Sequence, residues 1–237
     1  MNKDKLKSLT YGIPTSSMFD TMSEATPLIE ISPDSVDVSA HPSNDGGRTK
    51  SEMLLVKRAM KDLKPGEETF VNLSDKRMLD LFKSEAVREE VYFDEDYFED
   101  LKSQLSGFIL NIKFRFNRPR PVQIAEMMNI EFPALDTNTV GSPSYPSGHT
   151  IQAMVMANAL GSLYPNLRDK FRNLAERIGM SRVQAGVHFP SDVDAGIKIA
   201  DAIEPYVLLP GEVTGDRREH DLRSIARNFI SDLDFPG

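Results

Sequence analysis

From residue 49 onward, apolar residues recur mostly at helical spacing. Met53, Val56, Met60 and Leu63 stand three and four positions apart, which puts them on one helix face, and Pro65-Gly66 reads as the stop of that helix. Ser74 and Asp75, followed by Met78, Leu79, Leu81 and Phe82, predict a second helix. A third is predicted from Asp94 or Asp96, whose carboxylates suit a helix N-terminus, through Leu101, Leu105, Phe108, Ile109 and Ile112. It must end ahead of Pro119 and Pro121, because proline disfavours helix in the residue before it. Residues 130–146 are rich in Pro, Thr, Asn and Ser and read as a loop. The helix that opens at Ser147 is apolar nearly all round to Leu163, so it is expected to be buried. Beyond Tyr164-Pro165-Asn166, the stripe of Leu167, Phe171, Leu174 and Ile178 predicts another helix. One more follows Pro190, and a last amphipathic helix is predicted over Arg217 to Leu233. With no internal repeat and no run of alternating strands, the expected fold is all-α: a single-domain helical bundle over residues 47–237.

The first 46 residues follow a different pattern. They carry Pro14, Pro27, Pro33 and Pro42 and end in the turn signal Asn44-Asp45-Gly46-Gly47. This predicts an extended N-terminal arm rather than a core element. The patch Pro27-Leu28-Ile29-Glu30-Ile31 would pack onto the body or onto a neighbouring subunit, so a homo-oligomer built by arm exchange is one expectation.

Composition narrows the chemistry. A chain of 237 residues can bury a core without covalent staples. With no cysteine, disulfides, thiolate metal sites and a cysteine nucleophile are excluded. A net charge of −8 argues against a nucleic-acid-binding surface, which needs a basic stripe. Any Arg or Lys turned inward therefore stands out. The stretch up to Ser17 lacks the apolar run of a signal peptide. The most apolar run, Ile151 to Leu163, is too short to span a bilayer. The expectation is a cytoplasmic protein without a membrane span, exported only if a leader preceded Met1.

Three segments hold unusual residue combinations. In the first, Lys113 falls in the last turn of a helix, and Arg120 lies beyond it in a stretch stiffened by Pro119 and Pro121. The alternative is a solvated basic patch at a helix C-terminus, which is the reading adopted for Arg115 and Arg118. In the second, Ser147 sits at an N-cap position. The backbone N–H groups of Gly148 and His149 then point off a helix end, where an anion binds readily, and Gly148 lets an oxyanion approach the backbone. Ser147 as a plain cap with an incidental histidine is the alternative. In the third, Arg182 lies four residues after Ile178 on an inward stripe. A buried guanidinium needs an anion, either a carboxylate in a structural bridge or a bound phosphate. His188 and Asp192 are four residues apart at the start of a helix. That spacing lets the carboxylate fix the imidazole tautomer and leave the other nitrogen free to attack.

Taken together, Lys113 with Arg120-Pro121, then Pro146-Ser147-Gly148-His149, then Ser181-Arg182 with His188 and Asp192 resemble the signature of the type 2 phosphatidic acid phosphatase and vanadium haloperoxidase superfamily. The resemblance covers residues 113–192 and is nearest to soluble bacterial class A acid phosphatases. It implies that Lys113, Arg120, Arg182, Ser147 and the Gly148 amide hold phosphate oxygens. It further implies that His188 is phosphorylated, that Asp192 orients it, and that His149 protonates the leaving group and then activates water. Arg118-Pro119 is a second Arg-Pro pair, at a shorter spacing from Lys113, so Arg118 could assist Arg120. The substrate implied is a small phosphomonoester or a pyrophosphate, with no metal or other cofactor, and vanadate is expected as an inhibitor. Two other readings stay open: a haloperoxidase with vanadate as cofactor, and a non-catalytic phosphate-binding protein.

Overall fold

The computed structural model describes residues 3–135, 137 and 140–213. Among them the chain is helical without a sheet, as expected, and its isolated β pairing is an antiparallel bridge between Ile29 and Val207. In chain order the helices are α1 (Lys3–Lys7), α2 (Ser16–Met22), α3 (Gly47–Lys61), α4 (Pro65–Lys76), α5 (Met78–Arg88), α6 (Glu95–Phe116), α7 (Pro121–Met128), α8 (Gly148–Leu163), α9 (Arg168–Gln184), α10 (Pro190–Ile203) and α11 (Pro210–Val213). None of the described helices is long and apolar enough to cross a membrane. The helix predicted over Arg217–Leu233 lies outside the described residues.

The centre of the bundle is α8, buried along most of its length and packed on by α9 and α10. Two glycines set how close those helices come. A Cβ on Gly196 of α10 would lie 2.9 Å from the Thr150 Cβ, and one on Gly179 of α9 would lie 3.0 Å from the Thr150 hydroxyl. The first is closer than a Cβ comes and the second would force Thr150 to shift, so α9 and α10 meet α8 closely at its first turn. Arg182 follows Gly179 by one turn and Asp192 precedes Gly196 by one turn. The two close approaches therefore deliver both residues to the N-terminus of α8.

The sequence also shapes the ends of α6. Asp94 accepts a hydrogen bond from the Tyr97 N–H at 3.1 Å, satisfying a free donor of the first turn. At the other end Asn117, with φ of 50°, takes the left-handed conformation that terminates helices. As expected, α3 ends ahead of Pro65 and α6 ahead of Pro119, but two prolines also do something more. Pro65 and Pro121 each stand at the start of a helix, α4 and α7, where the missing N–H costs nothing. Ser74 and Asp75 consequently lie in the last turns of α4 rather than at the start of the next helix, and α7 was not foreseen.

Residues 3–46, expected as an extended arm rather than a core element, include the short helices α1 and α2 and contribute to the core. Leu28, Ile29 and Val36 are buried in the same cluster as Phe108 and Ile151, while Leu6 is buried with Met53, Val56 and Phe189. The arm is fastened by specific contacts. A Cβ on Gly107 of α6 would fall 2.3 Å from the Thr21 carbonyl oxygen, so α2 lies directly on the helix backbone there. Nearby, Asn111 donates to the Met22 carbonyl at 2.9 Å. Arg115 donates to the carbonyls of Pro33 and Val36; it ties down the arm besides meeting solvent. These apolar residues have no helical period, which hides their burial from a periodicity search.

Candidate active site

Asp192 occupies the first turn of α10, which Pro190 opens, so its carboxylate folds back over the residues just ahead of the helix. One oxygen, Oδ2, accepts from the Phe189 N–H at 2.8 Å, from the Ser144 hydroxyl at 2.5 Å and from His188 Nδ1 at 3.2 Å. The other face of the imidazole meets Arg120, whose Nη1 lies 3.0 Å from His188 Nε2. A guanidinium has only protons to offer, so Nε2 must present its lone pair and the ring proton sits on Nδ1. Burial, then the charge of Arg120, push the His188 pKa well below the ordinary histidine value, which keeps the ring neutral. Asp192 is itself held below the usual carboxylate range: burial opposes this, but the Arg118 charge and the bond from His188 outweigh it.

Arg118 corrects the sequence reading. It is not part of a solvated patch; it is completely buried. Its Nη1 donates to Asp192 Oδ1 at 2.6 Å and to the Ser191 hydroxyl at 2.8 Å, and its Nη2 donates to Glu52 Oε2 at 3.3 Å. The left-handed turn at Asn117 ends α6 directly before it, and the guanidinium lies over the Phe189 ring at 4.0 Å. It supports Asp192, whereas the cavity itself is served by Arg120.

A cavity of about 320 Å³ opens beside the imidazole, and Lys113, Arg120, Gly148, His149 and His188 all line it. Lys113 donates to the Pro143 carbonyl at 2.6 Å, and Arg120 donates through Nε to Ser142 and through Nη1 to Val187, both at 2.8 Å. These bonds to loop and helix-preceding carbonyls fix where the two cations point. Burial lowers both pKa values, Arg120 to about 10 and Lys113 by a large margin, with Arg120 adding to the effect on Lys113. Gly148 is pressed by Lys113 and Ile109, each 3.4 Å from where a Cβ would stand. Met18, Ile109 and Leu110 form an apolar part of the wall, and Gly141 and Ser142 complete the lining together with Ser106 and Gln152.

On the far side, His149 stands in the first turn of α8. Its Nε2 lies 3.3 Å from the Asp75 backbone carbonyl and 3.8 Å from the Asp75 carboxylate. A carbonyl only accepts, so Nε2 carries the proton and Nδ1 is the nitrogen available elsewhere. Burial, then the neighbouring Arg182, lower the His149 pKa to about 3.

Arg182 and Ser147 are buried beside this cavity rather than lining it. Arg182 donates to Asp75 at 2.7 Å, so the carboxylate-bridge alternative describes a contact it makes. The Ser147 side chain does not cap α8. Its hydroxyl accepts from Thr150 at 2.8 Å, and its N–H donates to the Asp192 carbonyl at 2.9 Å. The residues that sequence reasoning did not single out are Asp75, Ser144, Glu52 and Ser191, whose partners lie far away in sequence. His41 contacts the Tyr145 ring, away from the cavity lining. Among the described residues, no group of three or more His, Asp or Glu side chains is arranged to hold a metal ion.

With this geometry in view, comparison with known proteins gives a consistent answer. Residues 103–207 match the family model of the PAP2 superfamily. A lipid A 1-phosphatase from Rhizobium johnstonii is 33% identical over 93 residues, covering 39% of this chain and 38% of that protein. A non-specific acid phosphatase from Salmonella typhi is 40% identical over 62 residues, covering 26% of this chain and 25% of that protein. The matched regions thus span about two fifths or less of these relatives. The crystal structure of a bacterial vanadium-dependent iodoperoxidase superposes with a TM-score of 0.54 at 14% identity, covering 87% of this chain and 60% of that one. At that identity the likeness is one of fold.

Proposed function

We propose, from the match of residues 103–207 to the PAP2 superfamily, that the protein is a phosphoester hydrolase working through a phosphohistidine at His188, without a metal. The observation that carries the reading is the His188 lone pair, fixed on Nε2 by Asp192 and turned toward Arg120 in a cavity that also holds Lys113 and His149.

In this reading the phosphoryl group enters the cavity with its oxygens toward Lys113, Arg120 and the Gly148 N–H, while Arg182 and Ser147 stand buried beside the cavity lining. Fixed positive charge of this kind stabilises the charge that develops in phosphoryl transfer and so supplies what a metal would otherwise provide. His188 Nε2 attacks phosphorus, a nitrogen–phosphorus bond forms, and the bond to the leaving oxygen breaks. His149, protonated at Nδ1 from solvent once the anionic substrate is bound, gives that proton to the oxygen. Water then attacks the phosphohistidine, His149 takes its proton, inorganic phosphate departs and Nε2 recovers its lone pair. The incoming anion also arms the acid. His149 is kept neutral in part by Arg182 and Lys113, and a negative phosphate offsets both charges, raising its pKa toward the working range.

The substrate is taken to be a small phosphomonoester or a pyrophosphate in the aqueous phase of the cytoplasm. The fold shared with an iodoperoxidase keeps vanadate-dependent halide oxidation as the second reading. Purified protein should release phosphate from nitrophenyl phosphate in the presence of EDTA, with competitive inhibition by vanadate. Loss of turnover on chelation, restored by a divalent metal, refutes the metal-independent mechanism. Strong dye bromination with vanadate and peroxide, without phosphate release, selects the second reading.

A further inference from the structure

We propose that Arg118, backed by Glu52, is a positioning residue that keeps Asp192 ionised and oriented so that His188 offers Nε2 rather than Nδ1 as its lone pair. The consequence for turnover rests on the phosphohistidine reading above; the effect on the imidazole tautomer does not.

The Asp192 carboxylate is fully enclosed, and a charge removed from water needs a compensating charge as well as hydrogen bonds. Its other partners do not supply one. His188 is neutral, and the Ser144 hydroxyl and Phe189 N–H contribute only dipoles. Lys113 and Arg120 point toward the cavity, where a bound phosphate would neutralise them. Among the described residues, Arg118 is the cation that contacts the carboxylate directly, at 2.6 Å on Oδ1. That bond leaves Oδ2 to the imidazole, so the two oxygens are divided between the two jobs.

Glu52 holds the guanidinium in place from behind. Arg118 Nη2 reaches Glu52 Oε2 at 3.3 Å and the Thr49 hydroxyl at 3.4 Å. Glu52 also accepts from the Ser191 hydroxyl at 2.8 Å and from the Ser191 N–H at 3.2 Å. The network therefore ties α3 to the first turn of α10, where Asp192 stands. A planar fork can serve Asp192, Ser191, Glu52 and Thr49 while stacking on Phe189; a lysine ammonium cannot. The arrangement bears on the chemistry because phosphorylation of Nε2 leaves a cationic ring whose Nδ1 proton is drawn to Asp192. A carboxylate paired with Arg118 has less affinity for that proton, which stays on the ring.

The test is nitrogen NMR of histidine-labelled protein without substrate, with His188→Asn to assign the signals, alongside steady-state kinetics. The wild type should show a protonated Nδ1 and a bare Nε2. Arg118→Met should shift His188 toward the Nε2–H tautomer and lower kcat by about 10- to 100-fold, with KM changed less than about threefold. Arg118→Lys should fall between the two, and Glu52→Gln should act in the same direction but more weakly. If Arg118→Met does not fold, Arg118→Lys decides by the same readout. A wild-type His188 protonated on Nε2 overturns the proposal, and so does a folded Arg118 variant with an unchanged tautomer, even if its kcat falls. A tautomer shift in a protein that releases no phosphate refutes the hydrolase reading and leaves this inference standing.

Discussion

His188 and His149 line one cavity, but the chain grips them unequally. His188 is bonded at both ring nitrogens, at 3.0 and 3.2 Å, and the carboxylate that holds it is bonded in turn to Arg118, Ser144 and the Phe189 N–H. His149 makes one long bond, 3.3 Å, to a backbone carbonyl. A nucleophile must be in position before substrate arrives, and a rigid, desolvated lone pair meets that need. An acid that becomes a base half-way through the reaction must change its proton load, and a loosely held ring with an anion-sensitive pKa suits that duty. The contrast fits the roles proposed for the two rings.

The largest expected effect breaks the contrast at its rigid end. His188→Ala should lower turnover by about 10⁴-fold or more, whatever the leaving group, and abolish the covalent phosphoenzyme. Rapid mixing with substrate followed by mass spectrometry under basic conditions reads the adduct. A labelled His188→Ala protein, with an unlabelled His149→Ala, would exchange the two assignments.

Next comes the looser end. His149→Ala should cost about 10²- to 10⁴-fold with an alkyl phosphate and much less with nitrophenyl phosphate, whose leaving group departs with little need of a proton. Phosphorylated His188 should accumulate in this variant, because water activation is impaired. An equal loss on both substrates would remove the acid role from His149.

The smallest effect sharpens the contrast through pH. Both histidines have folded-state pKa values below the unfolded value of about 6.5, with His149 at about 3. The unfolded chain therefore binds more protons in this window. The stability these groups contribute is fully present above about pH 6.5 and is lost as pH falls through the folded values. Thermal unfolding should be flat above pH 7 and decline toward pH 3. Phosphate or vanadate should relieve the His149 share, since a bound anion raises that pKa. A melting temperature that is constant from pH 6.5 to 4 would contradict the buried neutral state of both rings.

The legible parts of the fold were those with local causes. The Asp94 cap and the apolar stripe to Ile112 define α6, and the all-round apolarity from Thr150 to Gly161 marks α8 as central. Helices opened by Pro65 and Pro121 were missed because proline reads equally as an end and as a beginning. At the site, the signature residues carried their own spacing, whereas their supporting partners did not. Arg118 lies 66 residues from Glu52 and 74 from Asp192, and Arg182 lies 107 from Asp75. No local pattern announces such pairs. Beside Arg115 and Arg120, Arg118 looks like one more surface charge; the residue that redirects it is Asn117, whose readiness for the left-handed conformation was a faint signal in the sequence.

The close approach at Gly107 has a consequence for how the protein can change. Because the Thr21 carbonyl rests on the α6 backbone there, α2 is held where Met18 forms part of the cavity wall. The groups proposed to react, by contrast, are encoded between Lys113 and Asp192. One piece of the cavity wall thus comes from a stretch of chain well apart from those groups. On the proposed reading, substitutions at Met18 reshape the wall that a phosphorylated molecule would meet while the proposed acid, nucleophile and cage stay untouched, a route to new substrates without relearning the chemistry.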